Sequence, residues 1–152
     1  MNNKYKFFFK SKLGNWNITD FRVDGIRFNC GEQYMMYCKA MLFNDTETAF
    51  EIMYESEPMN HKDLGRKVKN FNPVVWDENK YDLVKTGLRA KFSQNPELKE
   101  YLLKFKGQIF VEASPFDRVW GIGYDADHAL ENINNWGENL LGKILTELSN
   151  EL

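Results

Sequence analysis

A mainly helical α+β domain is the fold class this sequence predicts: a compact single domain, residues 1–152, with several helices and a few short antiparallel strands. Three observations predict it. Apolar residues recur at helical spacing in several separate stretches, most of them preceded by a helix-starting residue. Strand patterning is confined to short runs. A chain of 152 residues with 43% hydrophobic content fits one domain and buries enough surface to need neither disulfide nor metal for folding.

The elements follow in chain order. Phe21, Val23, Ile26 and Phe28 flank Asp24-Gly25, a dipeptide suited to a type I′ turn, so 21–29 is expected as a hairpin. From Gly31 to Phe43, Tyr34, Tyr37, Cys38, Met41 and Leu42 recur with helical period. Asp45 caps a following helix through Met53, and Pro58 suits an early turn of another that runs on to Val68. Asn72-Pro73 opens the longest helix, to about Phe92, and Asn95-Pro96 opens the next. Gln108–Glu112 reads as a strand entering the loop "ASPFDRVWGIG". After it the chain is expected to be irregular until an amphipathic helix starts near Glu138, with Leu140, Leu141, Ile144, Leu145 and Leu148 on one side.

Composition narrows the function classes. A net charge of −2, with Lys and Arg spread along the chain, does not predict strong non-specific DNA binding. No apolar run nears the ~20 residues of a membrane span. The two cysteines, Cys30 and Cys38, form no CxxC pair, and a reducing cytoplasm is the simpler setting. The two histidines, His61 and His128, lack Cys or His partners at metal-ligand spacing and are expected as polar surface or loop residues. Neither GxGxxG nor GxxxxGK[ST] occurs. Catalysis by this chain would therefore use carboxylates, Lys, Arg, Tyr and backbone groups, with no metal or cofactor.

Five segments stand out: "CGEQYMMYCKA", "LGRKVKNFNPVVWD", "GLRAKFSQNPELKEYLL", "VEASPFDRVWGIG" and "NWGENLLGKILTEL". Together, and in this order, they resemble the NADAR (YbiA-like) family from about residue 14 to the C-terminus. The resemblance implies a largely helical fold and hydrolysis of N-glycosidic bonds. Its substrate classes are ADP-ribose on a base, including guanine in DNA, and phosphoribosylated intermediates of riboflavin biosynthesis.

Carried over by residue, Glu32 takes the place of the family's site Glu in Gly31-Glu32-Gln33-Tyr34, with Cys30 where Ser is usual. Lys39 matches the following Lys-Ala, Arg66 and Lys69 a Gly-Arg-x-x-Lys segment, and Trp76 a helix Trp. Glu112, Asp117 and Trp120 match the "VEASPxDxxWG" loop, and Asn139 matches "NLLG". Asn15 lies in Gly14-Asn15-Trp16, where the family often shows Ser-Asn-Phe.

The chemistry of glycoside cleavage suits these residue types. Breaking the bond builds positive charge on ribose, which a carboxylate stabilises, while a second acid protonates the leaving nitrogen or activates water. Glu32, Asp117 and Glu112 are the catalytic candidates, ranked in that order. Trp76 and Trp120 offer flat faces for a base. Arg66, Lys39 and Lys69 could hold phosphate, with Asn15, Tyr34 and Asn139 as further substrate contacts. On a helix, Glu32, Met35, Met36 and Lys39 share one face.

The favoured substrate is an ADP-ribosylated base, ADP-ribosyl-guanine in modified single-stranded DNA above others, since a stand-alone domain carries no fused biosynthetic enzyme. The riboflavin intermediates and a non-catalytic ADP-ribose-binding module are the alternatives. Ordinary structure would explain each residue singly: a first-turn acid favoured by the helix N-terminus, solvated lysines, core tryptophans and a turn aspartate.

Overall fold

The computed structural model describes residues 4–152. In chain order the elements are β1 (Tyr5–Phe8), β2 (Phe21–Val23), β3 (Ile26–Phe28), α1 (Gly31–Leu42), α2 (Thr46–Tyr54), α3 (Pro58–Gly65), α4 (Pro73–Gln94), α5 (Pro96–Leu103), β4 (Ile109–Glu112), α6 (Ala126–Ala129) and α7 (Leu140–Glu151). A 3-10 segment, Leu130–Asn135, follows α6. The fold is mainly helical α+β. The chain divides into two compact units, one of Asn15–Asn95, the other of the residues up to Gly14 together with Pro96–Leu152.

The continuous unit starts with the expected hairpin. Asp24 and Gly25 both adopt positive φ, 52° and 80°, as a type I′ turn requires. Phe21 pairs with Phe28 across it, and both rings pack on Tyr34. Helix α1 is the centre of the unit, against α2, α3 and α4. Its cap is unusual: the Cys30 thiol accepts the Gln33 amide, at 3.4 Å, in the role a hydroxyl normally fills. Asp45 caps α2 and Asn72 caps α4, as the sequence suggests. Helix α3 stops at Gly65, short of the expected Val68.

His61 is not a surface residue. It is fully buried, with Nε2 2.7 Å from the Glu55 carbonyl and Nδ1 3.6 Å from Cys30 Sγ. A carbonyl can only accept, so Nε2 carries the proton and Nδ1 accepts from the thiol. Burial lowers the His61 pKa, which keeps that neutral tautomer. His128 is exposed, as expected, and pairs with Asp125 at 2.7 Å.

In the discontinuous unit, β1 pairs with β4, Tyr5 opposite Ile109 and Phe8 opposite Glu112. The pairing is parallel, where only antiparallel strands were expected. Phe110 and Val111 of β4 are fully buried, and the apolar side of α7 covers the strand. The other edge of β4 is satisfied by side chains. Thr146 Oγ1 accepts the Phe110 amide at 2.9 Å. Asn139 donates to the Phe110 carbonyl at 3.0 Å and accepts the Glu112 amide at 2.9 Å. The stretch expected to be irregular before α7 contains α6 and the 3-10 turn, started by Asp125, which accepts the His128 amide.

Candidate functional site

The first turn of α1 holds Glu32, which is 6% exposed. Its backbone amide donates to the Asn15 carbonyl, at 3.0 Å. Its carboxylate accepts the indole N–H of Trp16, Nε1 to Oε1, at 2.9 Å. Asn15 is buried, and its Oδ1 lies against Gly31, where an added Cβ would sit 2.5 Å away. Only glycine fits there, so the segment before the hairpin clasps the start of α1 and orients Glu32. Asn15 Oδ1 has no hydrogen-bond partner. A buried acceptor left open in this way is a costly arrangement and suits an incoming donor.

Two turns further along α1 lies Lys39, half-buried, with Nζ 4.6 Å from the Phe71 ring centroid. Burial lowers its pKa, the Glu32 charge opposes that shift, and Arg66 adds to it. Glu32, Lys39 and Arg66 thus share one electrostatic environment. Arg66 itself is exposed and faces Asp63 at 3.9 Å. Lys69 is drawn elsewhere: its amide donates to Asp45, at 2.9 Å, and its ammonium faces Glu47 at 3.7 Å on an open surface. Trp76 is 8% exposed near the start of α4. Tyr34 belongs to the aromatic cluster with Phe21 and Phe28, so its ring is committed to packing rather than offered to a ligand.

The other unit presents Glu112 at the end of β4. Its Oε2 is enclosed and has no hydrogen-bond partner. Burial pushes its pKa up to about 8, and the nearby Asp117 charge adds to the rise. Glu112 therefore holds its proton at neutral pH. Asp117 Oδ1 accepts the amides of Val119 and Trp120, both at 2.9 Å, and so shapes the turn that presents Trp120. Gly121 closes against both acids: an added Cβ would meet the Glu112 and Asp117 carbonyls at 2.9 and 3.0 Å.

Arg118 does not neutralise this pair. It donates to the Asn135 carbonyl at 2.6 Å and lies over Tyr124. Asn139 has a structural office too, since both ends of its amide are engaged on β4. It stands at φ 54°, ψ 43° before α7 and holds the backbone of Glu112.

Trp16 is the contributor that sequence reasoning missed. Its position beside Asn15, where the family often has Phe, was the available signal, because only the indole brings an N–H donor. A cleft of about 270 Å³ in the continuous unit is lined by Phe50, Glu51, Tyr54, Glu55 and Leu64, none of them an expected site residue. Both cysteines are free, and burial pushes each thiol up to about 11. Among the described residues, no helix is long and apolar enough to cross a membrane.

The NADAR domain family model matches residues 3–152. The chain belongs to the NADAR family. It is 50% identical over 123 residues to the N-glycosidase R617 of Acanthamoeba polyphaga mimivirus, covering 79% of this chain and 72% of that protein. It is 33% identical over 106 residues to the chloroplastic riboflavin biosynthesis protein PYRR of Zea mays, covering 67% of this chain but 16% of that one. The NMR structure of the E. coli protein YbiA superposes with a TM-score of 0.81 at 28% identity, covering 99% of this chain and 86% of YbiA.

Proposed function

We propose that this NADAR protein hydrolyses the N-glycosidic bond at ribose C1′ of an ADP-ribosylated base, with ADP-ribosyl-guanine in DNA as the favoured substrate. The single observation that carries the reading is the Glu112–Asp117 pair. Glu112 stays protonated near neutrality while Asp117, a hydrogen-bond acceptor in its turn, lies beside it. Carboxyl groups held in such different environments are the acid and base of glycoside chemistry. The name N-glycosidase on a relative at 50% identity supports the same reaction class.

In the reaction, Glu112 gives its proton to the leaving nitrogen as the C1′–N bond breaks. A carboxylate, Glu32 or Asp117, stabilises the charge developing on ribose, and water adds at C1′ as its proton passes back to the ionised Glu112. The products are the free base and ADP-ribose. Lys39 and Arg66 supply charge for the diphosphate, and Trp120 or Trp76 a face for the base. Chemistry of this kind needs no metal.

The PYRR likeness favours one second reading, hydrolysis of a phosphoribosylated riboflavin intermediate. A single phosphate asks for fewer cations than the Lys39 and Arg66 pair provides, which places this reading second. The test is release of ADP-ribose from an oligonucleotide bearing ADP-ribosyl-guanine, with chelator present, comparing wild type, Glu32→Gln and Glu112→Gln. Release by the wild type and its loss in folded variants is the expected result. Tight ADP-ribose binding without release would reduce the protein to a binding module. Neither release nor binding, with turnover of a phosphoribosylated pyrimidine, would establish the second reading.

A further inference from the structure

We infer that the discontinuous unit carries a binding strip for single-stranded nucleic acid, made of lysines set on aromatic rings and ending at the Glu112–Asp117 loop. The basic charge is not evenly spread after all. Lys4, Lys6, Lys10 and Lys12 fall within the first 14 residues, which contain no acid, although the whole chain is net −2. The structure gathers part of this charge with Lys104, which directly follows α5. Lys6 Nζ lies 4.0 Å from the Phe105 ring centroid and 6.0 Å from that of Tyr101. Lys12 Nζ lies 5.3 Å from Tyr101, and Lys104 Nζ 5.9 Å from Phe105. The two rings meet edge-on, 5.3 Å apart, so three ammonium groups surround one aromatic pair. Among the described residues none of the three forms an ion pair. Glu97 and Glu100 on α5 are the acids of this element.

The strip continues toward the carboxyl pair. Lys10 Nζ stands 5.3 Å from the Phe9 ring, and Phe9 lies 6.5 Å from Phe116. Phe116 is 84% exposed, which leaves its ring accessible for stacking, and it immediately precedes Asp117. The parallel register puts Phe8 opposite Glu112, so β1 delivers Phe9 and Lys10 at the end of the sheet where the acid sits. Ammonium groups for phosphates, here beside Tyr101 and Phe105, and exposed rings for bases, here Phe9 and Phe116, are the two components of a single-strand site. An acidic membrane would need a contiguous apolar face to insert, whereas Phe9 and Phe116 are two rings beside Lys10. The inference goes beyond the proposed hydrolysis and does not depend on it.

The experiment is fluorescence anisotropy of a labelled, unmodified oligo-dT of about 20 nucleotides, titrated with the full chain from 50 to 200 mM salt. Wild type is expected to bind, and the triple variant K6Q/K12Q/K104Q to bind about tenfold or more weakly at the low-salt end. Its slope of log K against log salt should fall by about 2, since each lysine on a single strand contributes ~0.7. Lys6 is half-buried, so K12Q/K104Q, altered only at exposed positions, repeats the test if the triple variant misfolds; its slope should fall by about 1.4. Phe116→Ala should cost about fivefold or more through lost stacking. The control K62Q/K67Q/K143Q should retain the wild-type affinity and slope.

No binding by wild type at 50 mM salt would overturn the inference. So would equal losses in control and strip variants, or co-sedimentation with phosphatidylserine vesicles without oligonucleotide binding. Oligonucleotide bound through the strip lysines, with no turnover of the ADP-ribosyl adduct, would leave this inference standing and remove the proposed hydrolysis. Turnover without strip-dependent binding would do the reverse.

Discussion

Replacing Glu112 by glutamine tests whether the enclosed carboxyl is a stored acid. The folded protein holds this proton up to about pH 8, whereas the unfolded chain releases it near 4.5. Between those values the unfolded state ionises and the folded state does not, so rising pH favours unfolding. Stability should therefore be highest, as far as this group is concerned, below 4.5, decline at ~1.4 kcal/mol per pH unit, and level off above 8. The whole interval sets an upper bound of ~5 kcal/mol, and screening by solvent at the open side of the residue brings it toward ~3 kcal/mol. Glutamine is neutral throughout and lacks the decline. Urea unfolding of wild type and Glu112→Gln at pH 5 and pH 8.5 reads the effect directly. The variant's relative stability should improve by on the order of 3 kcal/mol at the higher pH. A difference that stays flat with pH would mean that the carboxyl ionises freely in the fold, and the proton-donor role would fall with it.

Other consequences can be measured independently. Trp16→Phe keeps a ring but deletes the donor to Glu32, and a hydrogen bond to a charged group is worth ~1.5–3 kcal/mol; kcat on the glycosidic substrate should drop about 10- to 100-fold, and unchanged kcat would remove Trp16 from the site. Glu32→Gln should lower turnover by about 10²–10⁴ with the circular dichroism spectrum intact. Gly121→Ala forces a methyl onto the Glu112 and Asp117 backbones, and should cost roughly 1–3 kcal/mol in thermal or urea unfolding. Neither Cys30 nor Cys38 should react with a disulfide reagent at pH 8 until the protein is unfolded, because both thiols are held protonated near 11; prompt labelling of either in native protein would contradict this.

Much of the fold could be read locally. Asp24-Gly25, Asp45, Asn72-Pro73 and Asn95-Pro96 mark turns and helix starts because each acts on backbone groups a few residues away, and all four occur where expected. The strand β1 left no comparable mark. Tyr5–Phe8 pairs with residues more than a hundred positions later, and parallel pairing has no connecting turn to announce it. The burial of His61 leaves no local sequence mark for a related reason. Nothing within its helix predicts burial, which follows from the thiol of Cys30 and the carbonyl of Glu55 arriving from other segments. The candidate acids were legible as residue types in a recognisable pattern. Their environments were not, since the enclosed, unpartnered Oε2 of Glu112, the indole donor on Glu32 and the amide bridge of Asn139 all arise from tertiary contacts.

The order in which the two halves of the β1–β4 pair are synthesised has a cost of its own. On a ribosome adding about 5–20 residues per second, β1 waits roughly 5–20 s for β4 to be translated. The continuous unit, complete at Asn95, has all its own elements before then. Through that interval "KFFFK" is a nascent apolar strand with open edges, the kind of segment that seeds aggregation. Lysines on both sides of the three phenylalanines act as gatekeepers that repel a second nascent copy. Neutralising them would thus be expected to lower the soluble yield at high expression, even where the purified protein is as stable as before.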